Sequence, residues 1–254
     1  MTNITSLRRE LGLNSLLSSL DSNPKVAKNS KIGVSTAVLH LAPARLSGYE
    51  TCPGRSDGCT QACLHYAGSP AYYDNKTKAR INKTKALFEK RQAFFNLLAL
   101  ELHAHHLKCE KTNMEAAMRL NATSDIRFES LRFDLYPWVQ EKIGREGNNI
   151  IDLFIDTIRP YDYTKIFNRR VPDGYHLTYS LSEKNVDQVS RVLATDANVA
   201  VVFGDRLPAE YLGRPVIDGD EHDYRPSDPT KVIVGLKTKG VKGRQDDSGF
   251  VVLL

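Results

Sequence analysis

Apolar positions along this chain follow two periods that alternate. Leu7, Leu11, Leu16, Leu17 and Leu20 fall near helical spacing around a glycine. This predicts a short amphipathic helix over 6–20, broken by Asn23-Pro24. The stretch over 32–41 is rich in apolar and β-branched residues and predicts a strand. Leu87, Phe94, Phe95, Leu98 and Leu102 return to helical spacing, so one long helix is expected through about residue 111, with that stripe facing the core. Further strands are predicted over 116–121, 150–155, 175–180, 198–203, 216–217, 231–236 and 250–254, with helices over 133–143 and 183–193. Strand and helix in alternation imply an α/β fold of mostly parallel strands with crossover helices. The pattern fits an open sheet or a partial (β/α) barrel, with an early strand leading into a cysteine loop. A helical appendage over 1–22 would precede a single domain over 23–254.

The 254 residues suit one large domain that buries its core without staples. No apolar run approaches the roughly 20 residues that span a bilayer, and the first residues lack the apolar centre of a secretory signal. A cytoplasmic protein without a membrane partner is therefore expected. There the four cysteines should be thiols or metal ligands rather than disulfides. The net charge of +5 permits nucleic-acid contact without requiring it.

The chemistry concentrates in the loop over 43–58 and just beyond, where Cys52, Cys59 and Cys63 stand in a C-x6-C-x3-C spacing among Gly, Pro and Ser. Glycine lets such a loop fold around one centre, and thiolates are soft ligands suited to iron–sulfur clusters and zinc. Unconnected thiols are the plain alternative, and three within twelve residues argue against it. Three thiolates leave a fourth position. In a cubane cluster it is the iron open to a small molecule; in a zinc site His65 would complete a Cys3His set. The spacing decides neither. Cys109, with His103, His105 and His106 nearby, reads as a thiol on the polar end of the long helix.

Polar residues gather where the predicted strands end, the edge at which parallel α/β folds place their chemistry. Asn121, Ser124, Tyr163, Thr164, Ser180 and Lys237 are candidate cofactor contacts, and Lys165 and Asp125 are candidate catalytic groups. Ser182, Asp218, Asp220 and Lys239 belong to the same set of strand ends. Taken singly, each is also what a solvated strand end carries. The run from Asp218 to Asp223 reads as an acidic turn pairing with Arg225 or nearby lysines, in preference to a cation loop. The basic stretch from Lys76 to Lys85, preceded by Tyr66, Tyr72 and Tyr73, is either a solvated helix start or a contact for phosphates and bases.

Several short motifs bear a resemblance. They are Ser47-Gly48, Thr51-Cys52-Pro53, Gly58-Cys59, Ala62-Cys63, Ala67-Gly68, Ala79-Arg80 with Lys83-Thr84, Tyr161-Asp162-Tyr163-Thr164-Lys165, Leu177-Thr178-Tyr179-Ser180, Val216-Ile217-Asp218-Gly219-Asp220 and Ser248-Gly249-Phe250-Val251. From about Asn23 onward the chain resembles the phage gene product 88 family. That implies a phage source, hence the host cytoplasm, and no particular reaction.

More loosely, the cysteine loop resembles that of radical S-adenosylmethionine enzymes. In those a cysteine triad follows the first strand of a partial barrel. It holds a [4Fe–4S] cluster whose open iron binds the amino and carboxylate groups of the cofactor. Their spacing is the shorter C-x3-C-x2-C, and their Gly-Gly-Glu-Pro segment has no clear counterpart here. The resemblance implies a [4Fe–4S] cluster on the three cysteines, S-adenosylmethionine as small-molecule cofactor, an electron donor, and a substrate such as a nucleotide or nucleic acid. The rival expectation is a zinc-stabilised nucleic-acid-binding protein without catalysis, with zinc on the cysteines and His65 and the Lys76–Lys85 region on phosphates.

Overall fold

A computed structural model describes residues 3–18, 27–66 and 73–254. Leu20, the expected break at Asn23-Pro24, the Ala67-Gly68 motif, Tyr72 and the side chain of Tyr73 lie outside the described residues.

Helix α1 runs from Ile4 to Leu11. Asn3 caps it by accepting from the Ser6 amide, and Gly12 ends it in the left-handed region at φ 65°. The helix is therefore shorter than its apolar spacing suggests. Leu17–Ser18 instead forms strand β1, antiparallel to β2 (Val34–Leu39). All six residues of β2 are buried, as expected of a strand covered on both faces. Helix α2 (Asp57–Gln61) lies inside the cysteine segment. The predicted long helix is two, α3 (Tyr73–Glu89) and α4 (Arg91–Thr112), because Lys90 leaves helical geometry at φ −133°, ψ 45°.

Strand β3 (Glu115–Arg119) is followed by α5 (Pro137–Ile143), which starts where proline occupies its first turn, later than the periodicity indicates. The expected strand over 150–155 is helix α6 (Ile150–Phe154). Short apolar runs leave helix and strand undivided. Here the Asn149 side chain decides, accepting from the amides of Ile151 and Asp152 at 2.8 and 3.2 Å. The strand comes later, as β4 (Arg159–Thr164). The rest follows the prediction closely: β5 (His176–Ser180), α7 (Val186–Leu193), β6 (Val199–Phe203), β8 (Arg214–Asp218), β9 (Ile233–Lys237) and β10 (Val251–Val252). The short β7 (Glu210–Tyr211) and helix α8 (Gly240–Arg244) were not legible in the pattern.

The sheet runs β1-β2-β3-β4-β5-β6-β9-β8-β7, parallel from β2 through β8 with antiparallel pairs at both ends. From β2 to β6 each strand lies beside the next in the chain. This is the order of a barrel sector, without the mid-sheet reversal of a doubly wound fold. Strand β5 pairs with β6 only as far as Ser180 opposite Ala200, and β10 continues along that side against Val202 and Phe203. The parallel strands bring their C-terminal ends to one edge, which is where the site forms.

Helices α1, α4, α5 and α6 share the main core with Leu7, Phe94, Phe95, Val139 and Phe154. A second core joins Val189 and Val192 of α7 to Val199, Val201 and Phe203. Cys109 is buried in the main core rather than set on a polar helix end. Its sulfur lies 3.6 Å from His105 Nε2, which is 3.1 Å from the Ser35 carbonyl. Among the described residues no helix is long and apolar enough to cross a membrane.

Candidate functional site

Residues 40–66, which follow β2, lie across the C-terminal edge of the sheet, and specific bonds fasten them there. Thr51 donates its hydroxyl to the Ala42 carbonyl at 2.7 Å, and the Asp125 amide donates to the Thr51 carbonyl at 2.8 Å. Ser56 caps α2 by accepting from the Cys59 amide. The Glu183 carboxylate accepts from Ser56 Oγ at 2.6 Å and from the Gly58 amide at 2.8 Å. Glycine is needed where this loop meets its supports. A Cβ on Gly58 would fall 2.0 Å from Ser248 Oγ and 2.5 Å from Phe250 Cβ, and one on Gly54 would lie 3.1 Å from Lys165 Cβ.

Beneath the loop is a cavity of about 230 Å³. Cys52, Cys59 and Cys63 line it together with Asn121, Ser124, Asp125, Tyr163, Thr164, Lys165, Ser180 and Lys237. The structure thus brings to one cavity the three cysteines and every residue singled out above as a cofactor or catalytic candidate, but not His65, the candidate fourth zinc ligand. Asp220 and Lys239 line it as well, while Ser182 and Asp218 do not. Among the described residues no group of three or more His, Cys, Asp and Glu side chains is arranged as a metal cage. The Cys52 and Cys63 thiols are held neutral. Burial pushes Cys52 upward, and burial, with the neighbouring Cys59 and Cys52, pushes Cys63 up to about 11 against the pull of a backbone hydrogen bond and Arg80. Cys52 Sγ accepts from the Ala44 amide at 3.4 Å and donates to the Thr123 carbonyl at 3.7 Å. A metal would displace the thiol protons and draw the sulfurs off these local partners. Soft thiols are the ligand type of iron–sulfur clusters and zinc, but the common centre expected of the three cysteines is not formed among the described residues, where they share a cavity without standing as a metal-holding group.

The strand-end residues divide into two kinds. Asn121, Ser124, Thr164 and Asp125 bond inward. Asn121 Nδ2 donates to Asp162 and the Ile126 carbonyl, and its Oδ1 accepts from Ser124 Oγ and the Ile126 amide. Asp125 accepts from Thr164 Oγ1, the Lys165 amide and Arg169 Nη1 at 2.9, 2.8 and 3.1 Å. These groups shape the wall rather than offer free valences to a ligand. Behind them stand residues to which the sequence reading gave no role in the site. Arg169 forms a two-pronged bond to Glu129 at 2.9 and 2.7 Å. Asp162, pushed up to about 6 by burial against the pull of Arg169, accepts from Tyr175 Oη at 2.7 Å. Asp162 lies within the Tyr-Asp-Tyr-Thr-Lys motif, and the period-two alternation of a strand could have set it on the opposite face from Tyr161 and Tyr163. Arg169 carried no such signal.

Tyr163, Lys165, Ser180 and Lys237 are the second kind. Lys165 donates to Ser180 Oγ at 2.7 Å and stands 5.4 Å from the Phe250 ring centroid. Lys237 pairs with Asp218 at 3.2 Å and Lys239 with Asp220 at 3.0 Å, so the acidic turn meets nearby lysines as expected. Arg225 serves Asp228 and the His222 carbonyl.

Lys76 and Arg80 of the basic stretch hold the loop at His65 from the other side, while Lys83 ties down the residue before β1. Lys76 donates to the His65 carbonyl at 2.7 Å, and Lys83 to the Leu16 carbonyl at 2.6 Å. Arg80 lies 2.9 Å from His65 Nδ1. Guanidinium only donates, so Nδ1 accepts, and the ring proton sits on Nε2, 3.3 Å from Thr77 Oγ1. Both ring nitrogens thus face α3, and His65 does not line the cavity. Lys78 and Lys85 are exposed, while Lys76, Arg80 and Lys83 are partly buried.

Burial foremost lowers His40 to about 3 and His65 and His176 to about 4, with arginine charges, such as Arg80 beside His65, adding to it. Each is neutral when folded, whereas the unfolded chain protonates near 6.5. Their stabilisation is complete above that pH and is lost as pH falls toward 4. Asp162, raised from 3.8 to about 6, acts in the opposite sense over the same window. Burial also lowers His103 and His105 and raises Asp125 and Glu101, so five histidines stand against three acids. The balance gives a melting temperature that falls between pH 7 and pH 4, measurable by scanning calorimetry; a flat profile would contradict the assignment.

Fold and cavity together define an α/β protein of mostly parallel strands with a cysteine-bearing site at the strand C-termini. The family model of gene product 88 matches residues 15–253, and the chain belongs to the gene product 88 family. No curated protein and no solved structure matches the chain. The comparisons do not show the expected likeness of the cysteine loop to radical S-adenosylmethionine enzymes.

Proposed function

We propose that this chain is an iron–sulfur-dependent, radical S-adenosylmethionine-like enzyme, with Cys52, Cys59 and Cys63 as the ligands of a [4Fe–4S] cluster. The observation that carries this reading is the three thiols sharing one cavity with Lys165, Ser180 and Tyr163 at the C-terminal edge of a parallel sheet. When bound, the cluster supplies an electron and one open iron. The protein supplies position. Glu183 and Gly58 seat the cysteine loop on the sheet, and Asp125 fixes the backbone at Lys165. Lys237 offers positive charge to a carboxylate, and Ser180 offers a hydroxyl.

The enclosed volume of about 230 Å³ is slightly below the roughly 300–1,000 Å³ of ordinary small-molecule sites. It suits S-adenosylmethionine with part of the ligand or its substrate, a nucleotide or an exposed nucleic-acid base, at the mouth. The zinc-bound, non-catalytic reading has less support. His65 turns both ring nitrogens toward α3, Lys76 and Arg80 are engaged at His65, and Lys83 at the Leu16 carbonyl.

The test is anaerobic purification followed by S-adenosylmethionine binding measured by equilibrium dialysis. The reading predicts a brown protein absorbing near ~400 nm that binds the cofactor, with both properties lost in Cys59→Ala. A colourless protein holding one zinc would reject it.

A further inference from the structure

The cavity wall carries five basic side chains, and four of them are matched. Arg55 pairs with Glu50, Arg119 with Asp223, Lys237 with Asp218 and Lys239 with Asp220. Among the described residues Lys165 is the one cation of the wall without a carboxylate partner. It has a single hydrogen bond, to Ser180 Oγ, and the face of Phe250. Below it two polar atoms are buried without a hydrogen-bond partner, Tyr163 Oη and Arg119 Nε. Arg119 is about nine-tenths buried, and its guanidinium stacks 4.9 Å from the Tyr163 ring centroid. Both residues line the same cavity. Tyr163 lies near the end of β4 and Lys165 just beyond it, and both line the cavity.

An unmatched ammonium and two orphaned buried donors on one wall are costly unless a ligand answers them. The group that answers them all is an acceptor-only anion with several oxygens. We propose that Lys165, Tyr163 and Arg119 form a subsite for a phosphate group, and that the substrate of this cavity is a small phosphorylated molecule. Phosphate is favoured over carboxylate because its four oxygens can answer three separate donors of one cavity lining, where a carboxylate has two. The proposal names the substrate class for the function proposed above and rests on that reading for the reaction, but the subsite needs no metal. Phosphate binding should therefore survive in protein stripped of metal, so a missing cluster and a missing phosphate site would be told apart.

The experiment is calorimetric titration of the full-length, chelator-treated protein with inorganic phosphate and, separately, with acetate. Saturable phosphate binding is expected, weakened about tenfold or more by Lys165→Ala, as for a charge-assisted bond, and largely retained in Lys165→Arg. Lys78→Ala, on the exposed side of α3, should leave it unchanged. Tyr163→Phe gives a second reading, because it removes a hydroxyl that has no partner. It should leave the melting temperature level or raised while weakening phosphate binding. No phosphate binding, equal binding in Lys165→Ala, or Tyr163→Phe binding phosphate as the parent does would overturn the subsite. Acetate bound as tightly as phosphate, with the same dependence on Lys165, would overturn the phosphate assignment.

Discussion

Arg169→Met is expected to lower the unfolding free energy by about 3–5 kcal/mol, the usual cost of removing one partner from a buried ion pair. Arg169 is 9% exposed, and its guanidinium holds two acids at once, Glu129 through two bonds and Asp125 through one. Methionine keeps much of the apolar stem but leaves both carboxylates without their cation, in a place where water reaches them poorly. The damage should extend to the site. Asp125 also receives Thr164 Oγ1 and the Lys165 amide, and its own amide anchors the cysteine loop at the Thr51 carbonyl. Urea unfolding followed by circular dichroism measures the effect. A loss below ~1 kcal/mol, the range of an exposed pair, would show that Arg169 does not organise this wall.

Gly58→Ala should be nearly as damaging, by a different route. The added methyl would sit 2.0 Å from Ser248 Oγ and 2.5 Å from Phe250 Cβ. Ser248 cannot simply turn away, because its hydroxyl donates to Asp246 at 2.6 Å and accepts from the Phe250 amide at 3.2 Å. Overpacking of this sort costs roughly 1–3 kcal/mol. Here the softest response is for the cysteine loop to lift, breaking the bonds from Ser56 and Gly58 to Glu183. Metal loading should then fall more than global stability does. Gly54→Ala, whose nearest clash is 3.1 Å from Lys165 Cβ, should be milder in both respects. Metal content and melting temperature, measured together on the two variants, test this order. A Gly58→Ala protein that loads metal as the parent does would contradict it.

The strands of the sheet centre were legible because they are short, apolar and β-branched between polar turns; Val34–Leu39 and Val199–Phe203 are the clearest. What the pattern missed was decided by single residues acting on the backbone. Gly12 stops α1 by its left-handed geometry, Lys90 divides the long helix, and the Asn149 cap turns an apolar run into α6. The cavity was legible at its rim, since cysteine clustering and strand-end polarity are both local signals. The layer behind it was not. Arg169, Glu129, Asp162 and Asp223 act through partners 13 to 104 positions away in sequence, and an isolated arginine or aspartate does not announce such a partner.

The most direct test of the shared centre counts iron and acid-labile sulfide per chain after anaerobic purification, for the parent and for Cys52→Ala, Cys59→Ala and Cys63→Ala. About four of each in the parent, as for a cubane cluster, falling sharply in all three variants, is the expected result. A parent that binds no metal or one zinc, or any of the three variants keeping the full complement, would contradict it.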